Sequence, residues 1–284
     1  MLDADRLGAR VREGVGGSAR VEVVPRSAST SSDLAAAVQA APHEWPDRSV
    51  LVADHQEAGR GRRGRTWTTP PGTSVTLSVL LRPGVPEDRW AWLTLLAGAA
   101  TADAVERLTG LPTALKWPND VLVLDAGADD VPGWGTARKV AGVLGEVVAT
   151  PDGPVAVVGV GVNVAQRADE LPVPWATSLA VSRGEGTAVP AREDVAVEVV
   201  RALVGLEERW RAADGDARES GLAARCSDAC VTLGGAVRVK LPGDRVLEGT
   251  ARSLAPDGAL EVVDRTGVVH AVLAGDVHHV REVR

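Results

Sequence analysis

The pattern of apolar residues changes after Cys230, and this change constrains the fold more than any other feature. Beyond Cys230, short alternating segments are separated by turn residues at regular intervals, which is typical of a small all-β barrel. Before it, helical stretches alternate with strands that are joined mostly as hairpins. We therefore predict an α+β protein with two domains, residues 1–227 and 228–284, the second with five or six strands.

The first domain contains strong signals for individual elements. Helices are predicted at residues 2–13, within 27–41 after a serine- and threonine-rich turn, at 87–110 and within 191–225, and strands at 20–24, 49–56, 74–83, 113–117, 120–125, 139–149 and 154–165. Ser31 or Ser32 is expected to cap the second helix, and Gly110 to end the third. The strand at 74–83 alternates apolar and small polar residues, so one buried face is expected. Residues 126–137 form a glycine- and aspartate-rich insertion that we expect to be mobile.

The overall charge and the cysteine usage exclude several classes of function. The formal net charge is -7, which argues against a general nucleic-acid binder. The first residues, MLDADRLGARVREG, contain no apolar core of signal-peptide length, and no apolar run is long enough to span a membrane. The two cysteines have no nearby histidine, which argues against a zinc site and fits a reducing compartment. We predict a cytoplasmic protein.

A glycine-rich stretch, GRGRRGRTW at residues 59–67, concentrates four arginines in this acidic chain. Glycine lets backbone N–H groups turn towards a bound group, and the arginine fork matches carboxylates and phosphates. The stretch lacks the GxxxxGK[ST] spacing of a P-loop. It is therefore either a loop that binds a small anion, or a solvated or RNA-binding loop.

The segment KWPND, residues 116–120, combines rare residue types. The chain has only three lysines and two asparagines, and Lys116 and Asn119 lie together here. Pro118 places a turn between two strands, so Lys116, Asn119 and Asp120 are expected at one corner. A lysine there can neutralise a phosphate or carboxylate, and a carboxylate can hold Mg²⁺ with water. The alternative is an ordinary polar turn.

Three further segments carry weaker signals. GVGVN, residues 159–163, lacks the third glycine of a dinucleotide fingerprint, but two glycines in a strand indicate a close approach by a ligand or another strand. STSS, residues 29–32, offers hydroxyl groups to a ligand or simply caps a helix. Gln56 either contacts a polar ring or is a surface amide.

Together these segments resemble the biotin protein ligase family. The resemblance extends from about residue 26 to the C-terminus. Its motifs in order are ST (29–30), QxxGRGRRGRxW (56–67), KWPND (116–120), KVAGVLGE (139–146), GVGVN (159–163) and PWATSL (174–179). The sequence departs from the family at Ser31, where asparagine is usual, and in the long 126–137 insertion. About 25 residues precede the match, so we expect a monofunctional enzyme without the N-terminal DNA-binding domain, and no DNA partner.

The resemblance implies a class II synthetase-like mixed sheet, an SH3-like barrel and a two-step reaction. Biotin and ATP, with Mg²⁺, give biotinyl-5′-AMP and pyrophosphate. A lysine of the biotin carboxyl carrier domain of an acyl-CoA carboxylase then takes the biotinyl group. The first step brings a carboxylate against a polyphosphate, and two anions in a water-poor site require cations. The arginine-rich loop meets that requirement.

The resemblance also implies roles for individual residues. The catalytic residues are Lys116 and Arg62. The residues at biotin are Ser29, Thr30, Gln56, Gly59, Arg60, Arg62, Lys116, Gly159 and Gly161. The residues at ATP or the adenylate are Arg60, Arg62, Arg63, Arg65, Trp67, Asn119, Asp120, Lys139, Asn163 and Trp175, with Trp175 over the adenine. Asp120 is also the candidate metal ligand.

Three alternatives remain open from the sequence. A lipoate protein ligase shares the fold and the adenylation chemistry, but its RRxSGGG signature is absent here. A nucleic-acid-binding module could use the arginine loop and the barrel, but there is no basic stripe beyond the loop. A non-catalytic regulator that binds the adenylate would use the same residues as an enzyme.

Overall fold

The computed structural model describes residues 2–16, 19–125, 128–241, 245–273 and 276–279. Within these residues, helices and strands alternate up to residue 229, and only strands follow. The elements of the first part are α1 (Ala4–Val15), β1 (Val21–Ser27), α2 (Thr30–Ala40), β2 (Val50–Gln56), β3 (Gly59–Arg60), β4 (Thr66–Trp67), β5 (Ser74–Leu81), α3 (Trp92–Thr109), β6 (Thr113–Lys116), β7 (Asp120–Leu124), β8 (Ala137–Thr150), β9 (Gly153–Asn163), α4 (Leu179–Arg183), α5 (Arg192–Ala212) and α6 (Leu222–Ala229). Each predicted helix and strand of this part is present, with shifted ends.

A seven-stranded mixed sheet forms the centre of this part. Its strand order is β1-β2-β5-β9-β8-β7-β6. The β1–β2 pair is parallel, and the other neighbouring pairs are antiparallel. The long β8–β9 hairpin places Gly159 opposite Leu144 and Gly161 opposite Gly142. The prediction of an α+β fold with hairpin-connected strands is confirmed.

Helices cover both faces of the sheet. One face packs against α1, α3 and α5, and the other packs against α2, where Leu34 and Val38 of α2 form a second buried cluster with Trp45. Strand β5 is therefore buried along its whole length. The prediction of one exposed face for this strand is wrong, because Ser78 contacts Thr30 and Ser31 of α2, and Ser74 and Thr76 are buried as well.

The ends of two helices follow from local chemistry. Gly110 ends α3 with a left-handed φ of 71°, as predicted. Helix α2 begins earlier than predicted: Ser29 is the N-cap, its Oγ accepts from Ser32 N at 3.5 Å, and Ser31 lies in the first turn. The assignment of Ser31 or Ser32 as the cap is therefore wrong. The backbone of Ser29 is still extended, and its carbonyl already accepts from Asp33 N at 2.8 Å.

The C-terminal part is a five-stranded antiparallel sheet. Its strands are β10 (Ala236–Lys240), β11 (Val246–Leu254), β12 (Leu260–Val263), β13 (Val269–Val272) and β14 (Asp276–His279), in the order β13-β12-β11-β10-β14. A register shift between Ala251 and Ser253 bends β11. The strand count agrees with the prediction, and the domain division at 227 and 228 remains a prediction.

Two tryptophans connect the C-terminal sheet to the first part. Trp92 Nε1 donates to Pro256 O at 2.7 Å, and Trp117 Nε1 donates to Gly258 O at 3.3 Å. The backbone N–H of Trp117 donates to Thr232 Oγ1 at 3.0 Å. Trp117 lies in the turn between β6 and β7, so the C-terminal sheet helps to fix the position of the KWPND corner. In the part of the chain that the structure describes, no helix is long and apolar enough to cross a membrane.

Candidate active site

A cavity of about 690 Å³ opens over β5, β8 and β9, between the start of α2, the arginine loop and the KWPND corner. It brings together most of the residues that the sequence singled out. Those in its wall are Ser29, Thr30, Gln56, Arg60, Arg62, Arg65, Trp67, Lys116, Asn119, Asp120, Lys139, Gly159, Gly161, Asn163 and Trp175. Gly59 and Arg63 instead border a smaller cavity that shares the arginine loop.

One end of the cavity is a buried chain of hydroxyl and amide groups. Gln56 Oε1 accepts from Thr30 N at 2.9 Å and from Thr30 Oγ1 at 3.3 Å. Ser78 Oγ donates to Thr30 Oγ1 at 2.8 Å and lies 3.0 Å from Ser31 Oγ. All four side chains are buried. Ser78 was not predicted, and the only signal for it was a small polar residue within an apolar strand.

Two glycines of β9 allow close packing beside this polar chain. A Cβ atom at Gly159 would lie 2.3 Å from Ser31 Oγ, and one at Gly161 would lie 2.6 Å from the ring of Trp67. Both distances are shorter than ordinary contacts, so a larger residue would displace the neighbouring side chain. The expected close approach at these glycines is therefore made, in this structure, by Ser31 and Trp67.

The arginine loop is a short hairpin, with Gly59 paired to Trp67 and Arg60 paired to Thr66. Gly61 N donates to Arg65 O at 2.6 Å across its tip. Arg60 Nη1 donates to Ser32 Oγ at 2.9 Å, and Arg60 Nη2 contacts Glu146 Oε1 at 2.5 Å. The first arginine of the loop is thus bound both to α2 and to β8.

Lys116 lies at the KWPND corner with only 5% of its surface exposed. Its Nζ atom lies 3.3 Å from the centre of the Trp134 indole ring. Burial lowers the pKa of Lys116 to about 8, Asp120 opposes this decrease, and Lys139 and Arg65 add to it. Lys116 therefore releases its proton at a lower pH than an ordinary lysine does.

The neighbours of Lys116 are held by specific contacts. Lys139 Nζ contacts Asp120 Oδ1 at 2.5 Å. Asn119 Nδ2 donates to Val143 O at 2.9 Å, and Val143 N donates back to Asn119 O at 3.0 Å. The corner is therefore joined to β8 at two points, and Asn119 and Asp120 occupy fixed positions in the cavity wall.

Two tryptophans stack at the opposite end of the cavity. The ring centres of Trp134 and Trp175 are 5.7 Å apart, and their planes differ by 10°. Trp134 belongs to the 126–137 insertion, of which residues 126 and 127 lie outside the described residues. Trp134 was not predicted as a site residue, although it is the only aromatic residue of the insertion.

Two amide side chains, Asn163 and Gln166, lie in the same part of the cavity wall as Trp175. Asn163 Nδ2 donates to Thr177 O at 2.9 Å, and Gln166 Nε2 donates to Asn163 Oδ1 at 2.9 Å. Both amides are buried. Gln166 also lines the cavity, and no motif in the sequence indicated it.

The described residues do not form a site for a permanently bound metal ion. They contain no group of three or more His, Cys, Asp or Glu side chains that could hold one. Asp120, the predicted metal ligand, accepts from Lys139. A cation that arrives with a polyphosphate needs few protein ligands, because Mg²⁺ usually takes one or two carboxylates together with phosphate oxygens.

Comparison with known proteins identifies the family. Residues 24–163 match the biotin/lipoate A/B protein ligase family, and residues 232–280 match the biotin protein ligase C-terminal domain. The chain is 38% identical over 294 aligned positions to a biotin–[acetyl-CoA-carboxylase] ligase of Mycobacterium tuberculosis, with 99% of this chain and 100% of that protein covered.

A solved structure agrees with the sequence relatives. The biotin protein ligase of Aquifex aeolicus in complex with biotin and ATP superposes with a TM-score of 0.70 and 26% identity, over 93% of this chain and 99% of that one. A bifunctional ligase/repressor BirA of Bacillus spizizenii is 34% identical over 188 residues, which cover 63% of this chain and 52% of that protein. On these matches, the chain belongs to the biotin protein ligase family.

Proposed function

We propose that this ligase uses ATP to attach biotin to a lysine of a carrier domain, through a biotinyl-5′-AMP intermediate. The biotin carboxylate attacks the α-phosphate of ATP and pyrophosphate leaves. The lysine amine of the carrier then attacks the carbonyl of the mixed anhydride and AMP leaves. The observation that carries the proposal is the single cavity that joins a buried polar chain, a buried lysine and an aromatic pair.

The polar chain suits the ureido ring of biotin. That ring has a carbonyl acceptor and two N–H donors, and the hydroxyl and amide groups of Ser29, Thr30 and Gln56 can serve both kinds of atom. All three side chains are buried, so a ring bound there is removed from water. Gly59, Gly159 and Gly161 are also proposed at biotin, because their lack of a side chain lets Gln56, Ser31 and Trp67 pack close to the backbone that borders this end of the cavity.

The buried lysine suits the reacting groups. The carboxylate and the α-phosphate are both anions, and their repulsion grows as water leaves the site. Lys116 would place one positive charge between them, and Arg62 would add a second from the loop. The remaining nucleotide residues of this proposal are Arg60, Arg63, Arg65, Trp67, Asn119, Asp120, Lys139, Asn163 and Trp175.

We propose that Mg²⁺ binds together with ATP. Bound to the phosphates, it would neutralise part of their charge before pyrophosphate leaves. We propose that Asp120 contacts it directly or through water, and Lys139, which pairs with this carboxylate, holds it in the cavity wall.

The carrier is proposed to be the biotin carboxyl carrier domain of an acyl-CoA carboxylase, since the relative from Mycobacterium tuberculosis is named for such a substrate. We place the enzyme in the cytoplasm, where that carrier is made. We expect no sequence-specific binding of duplex DNA, and a gel-shift assay with and without biotin and ATP tests this expectation.

Incubation of the protein with biotin, MgATP and a purified carrier domain tests the main proposal. Streptavidin should detect biotin on the carrier, but not when ATP is omitted or when the acceptor lysine of the carrier is replaced by arginine. A protein that transfers lipoate instead, or that forms no biotinyl-AMP, would refute the proposal.

A further inference from the structure

Trp134 of the insertion contacts two residues of the proposed reaction at once. Lys116 Nζ lies 3.3 Å from the centre of its indole ring. The same indole stacks on Trp175, with the ring centres 5.7 Å apart and the planes 10° from parallel. One side chain therefore holds the lysine proposed at the biotin carboxylate and also covers a face of the ring proposed at the adenine.

The ammonium of Lys116 has an aromatic ring as its partner and not a carboxylate. Within the described residues Lys116 makes no ion pair, and Asp120 of the same corner pairs with Lys139 instead. Only 5% of the Lys116 surface is exposed, so water compensates little of its charge. A contact with a carboxylate is stronger than a cation–π contact, so an anion that reaches Lys116 should draw the ammonium away from the ring.

The insertion places Trp134 by a hydrogen-bonded turn. Val131 N donates to Gly135 O at 2.9 Å, and Gly135 N donates back to Val131 O at 2.8 Å. Gly133, within this turn, has a left-handed φ of 77°. Arg138 Nη1 also donates to Gly135 O, at 2.9 Å. The local structure of the insertion therefore presents the indole to the cavity.

Trp175, in contrast, is anchored to the central sheet. Lys139 N donates to Trp175 O at 2.7 Å, and Thr177 N donates to Lys139 O at 2.8 Å, so the segment that carries Trp175 runs along β8. The N–H of Trp134 donates to Val131 O at 2.9 Å, within the insertion. Of the two stacked indoles, Trp134 is therefore the one that can move away when a base binds to Trp175.

We propose that Trp134 is an autoinhibitory residue that biotin releases. The biotin carboxylate pairs with Lys116 and draws the ammonium away from the indole ring. Trp134 then loses its cation–π contact, and adenine displaces it from Trp175 more easily. This inference rests on the proposed function, because it requires the biotin carboxylate at Lys116 and the adenine at Trp175. It assigns to the insertion the coupling between the two substrates.

The size of the coupling follows from the contact that biotin removes. Without biotin, ATP must break both the stacking and the cation–π contact of Trp134, and with biotin bound it must break only the stacking. A cation–π contact corresponds to about twofold to thirtyfold in affinity, so biotin should strengthen the binding of ATP by up to that factor. Coupling between two ligands is reciprocal, so ATP should strengthen the binding of biotin equally.

Calorimetry with an unreactive nucleotide tests the inference. The probe is an ATP analogue with a methylene group between the α and β phosphates, from which biotin cannot displace pyrophosphate. Its affinity is measured alone, with saturating biotin, and with saturating biotin amide, which keeps the rings and the chain of biotin but carries no charge. In the wild type, biotin should raise the affinity for the analogue more than biotin amide does.

Variants of Trp134 isolate the contribution of the ring. Trp134→Leu keeps an apolar side chain without a cation–π contact, and Trp134→Phe keeps a ring. The advantage of biotin over biotin amide should be about twofold to thirtyfold larger in the wild type than in Trp134→Leu, and Trp134→Phe should retain most of it. Repulsion between the carboxylate and the phosphates is common to these proteins, so it cancels in the ratio. Arg20→Gln, which removes the distant cation–π contact with Trp45, is the matched control and should behave as wild type.

Equal advantages in the wild type and in Trp134→Leu would overturn the inference, because the coupling would then not pass through the ring. An advantage that is lost in Arg20→Gln as well would also count against it, since the effect would not be specific to Trp134. A wild-type protein that binds neither biotin nor the analogue would instead refute the proposed function.

Discussion

The ammonium of Lys116 lies 3.3 Å from the centre of the Trp134 indole ring, and the same ring stacks on Trp175. One side chain from the insertion therefore covers both the lysine proposed for catalysis and the aromatic ring proposed for the adenine. At a ring-centre distance of 5.7 Å the two indoles leave no space for a purine between them. A nucleotide that stacks on Trp175 must displace Trp134 or move it away.

Replacing Trp134 by alanine tests this relationship. Stacking contributes about 0.5–1.5 kcal/mol and a cation–π contact about 0.5–2 kcal/mol, and both must be given up when ATP enters. We expect Trp134→Ala to bind a non-hydrolysable ATP analogue about five- to 400-fold more tightly by calorimetry, and Trp134→Phe to remain close to wild type. Weaker binding by Trp134→Ala would mean that this ring serves as a second stacking surface for the base.

Lys116→Arg tests the need for a compact charge. Guanidinium is wider and planar, so it keeps the charge but places it differently in a site that is almost closed to water. We expect Lys116→Arg and Lys116→Ala both to lose roughly a hundredfold in pyrophosphate exchange, the usual effect of removing one donor at developing charge. Transfer from preformed biotinyl-AMP should fall less. Equal losses in both half-reactions would indicate a role in general binding.

Burial of Lys116 also predicts a pH-dependent cost in stability. Below about pH 8 the folded and unfolded states both carry the proton, and the folded state bears the full cost of the buried charge. As pH rises from about 8 towards the ordinary value of 10.5, the folded state releases its proton first and the cost disappears. Lys116→Met should therefore be more stable than wild type at pH 7 by about 1–3 kcal/mol, with part of the gain offset by the lost cation–π contact.

Urea unfolding of the wild type and Lys116→Met at pH 7 and pH 10 measures this difference. The advantage of the variant should shrink at pH 10, because the wild-type lysine is then largely neutral in the folded state. A difference in free energy of unfolding that stays constant between the two pH values would show that the charge of Lys116 carries no such cost.

The sequence predicted those parts of the molecule that depend on neighbouring residues in the chain. Gly110 could be predicted to end α3 because a left-handed residue after a helix favours glycine. The motif order predicted most of the cavity wall because each motif lies on its own strand end or loop. The second buried face of β5 could not be predicted, since it depends on α2, which precedes this strand by many residues.

Each site residue that was missed makes at least one contact with a residue that is distant in sequence. Trp134 reaches Lys116 and Trp175 across the insertion. Gln166 depends on Asn163 and on the segment after Trp175, and Ser78 depends on α2. A polar or aromatic residue of this kind looks ordinary until the fold supplies its neighbours.

The pair formed by Arg60 and Glu146 gives another test. If Arg60 leaves Glu146 to contact the adenylate, this ion pair opposes closure of the loop. An exposed pair contributes about 0.2–1 kcal/mol, so Glu146→Gln should lengthen retention of biotinyl-AMP by about 1.5- to 5-fold. Glu44→Gln, which breaks the distant pair with Arg20, is the matched control. Faster release from Glu146→Gln would mean that Glu146 holds Arg60 in its working position.

The contact between Gly159 and Ser31 predicts a rescue by a second substitution. A Cβ at position 159 would lie 2.3 Å from Ser31 Oγ, and the next neighbour, Ser78 Oγ, would lie at 3.4 Å. We expect Gly159→Ala to lower the free energy of unfolding by about 1–3 kcal/mol, the usual cost of overpacking, and to weaken biotin binding.

Ser31→Ala removes the oxygen atom that the new methyl group would meet, so the double variant Gly159→Ala/Ser31→Ala should recover most of the lost stability in thermal unfolding. Ser31→Ala alone serves as the control and should change stability little, because Ser78 still donates to Thr30. If the double variant is no more stable than Gly159→Ala, the steric overlap involves another part of β9. Ser31 is then not the residue that requires glycine at position 159.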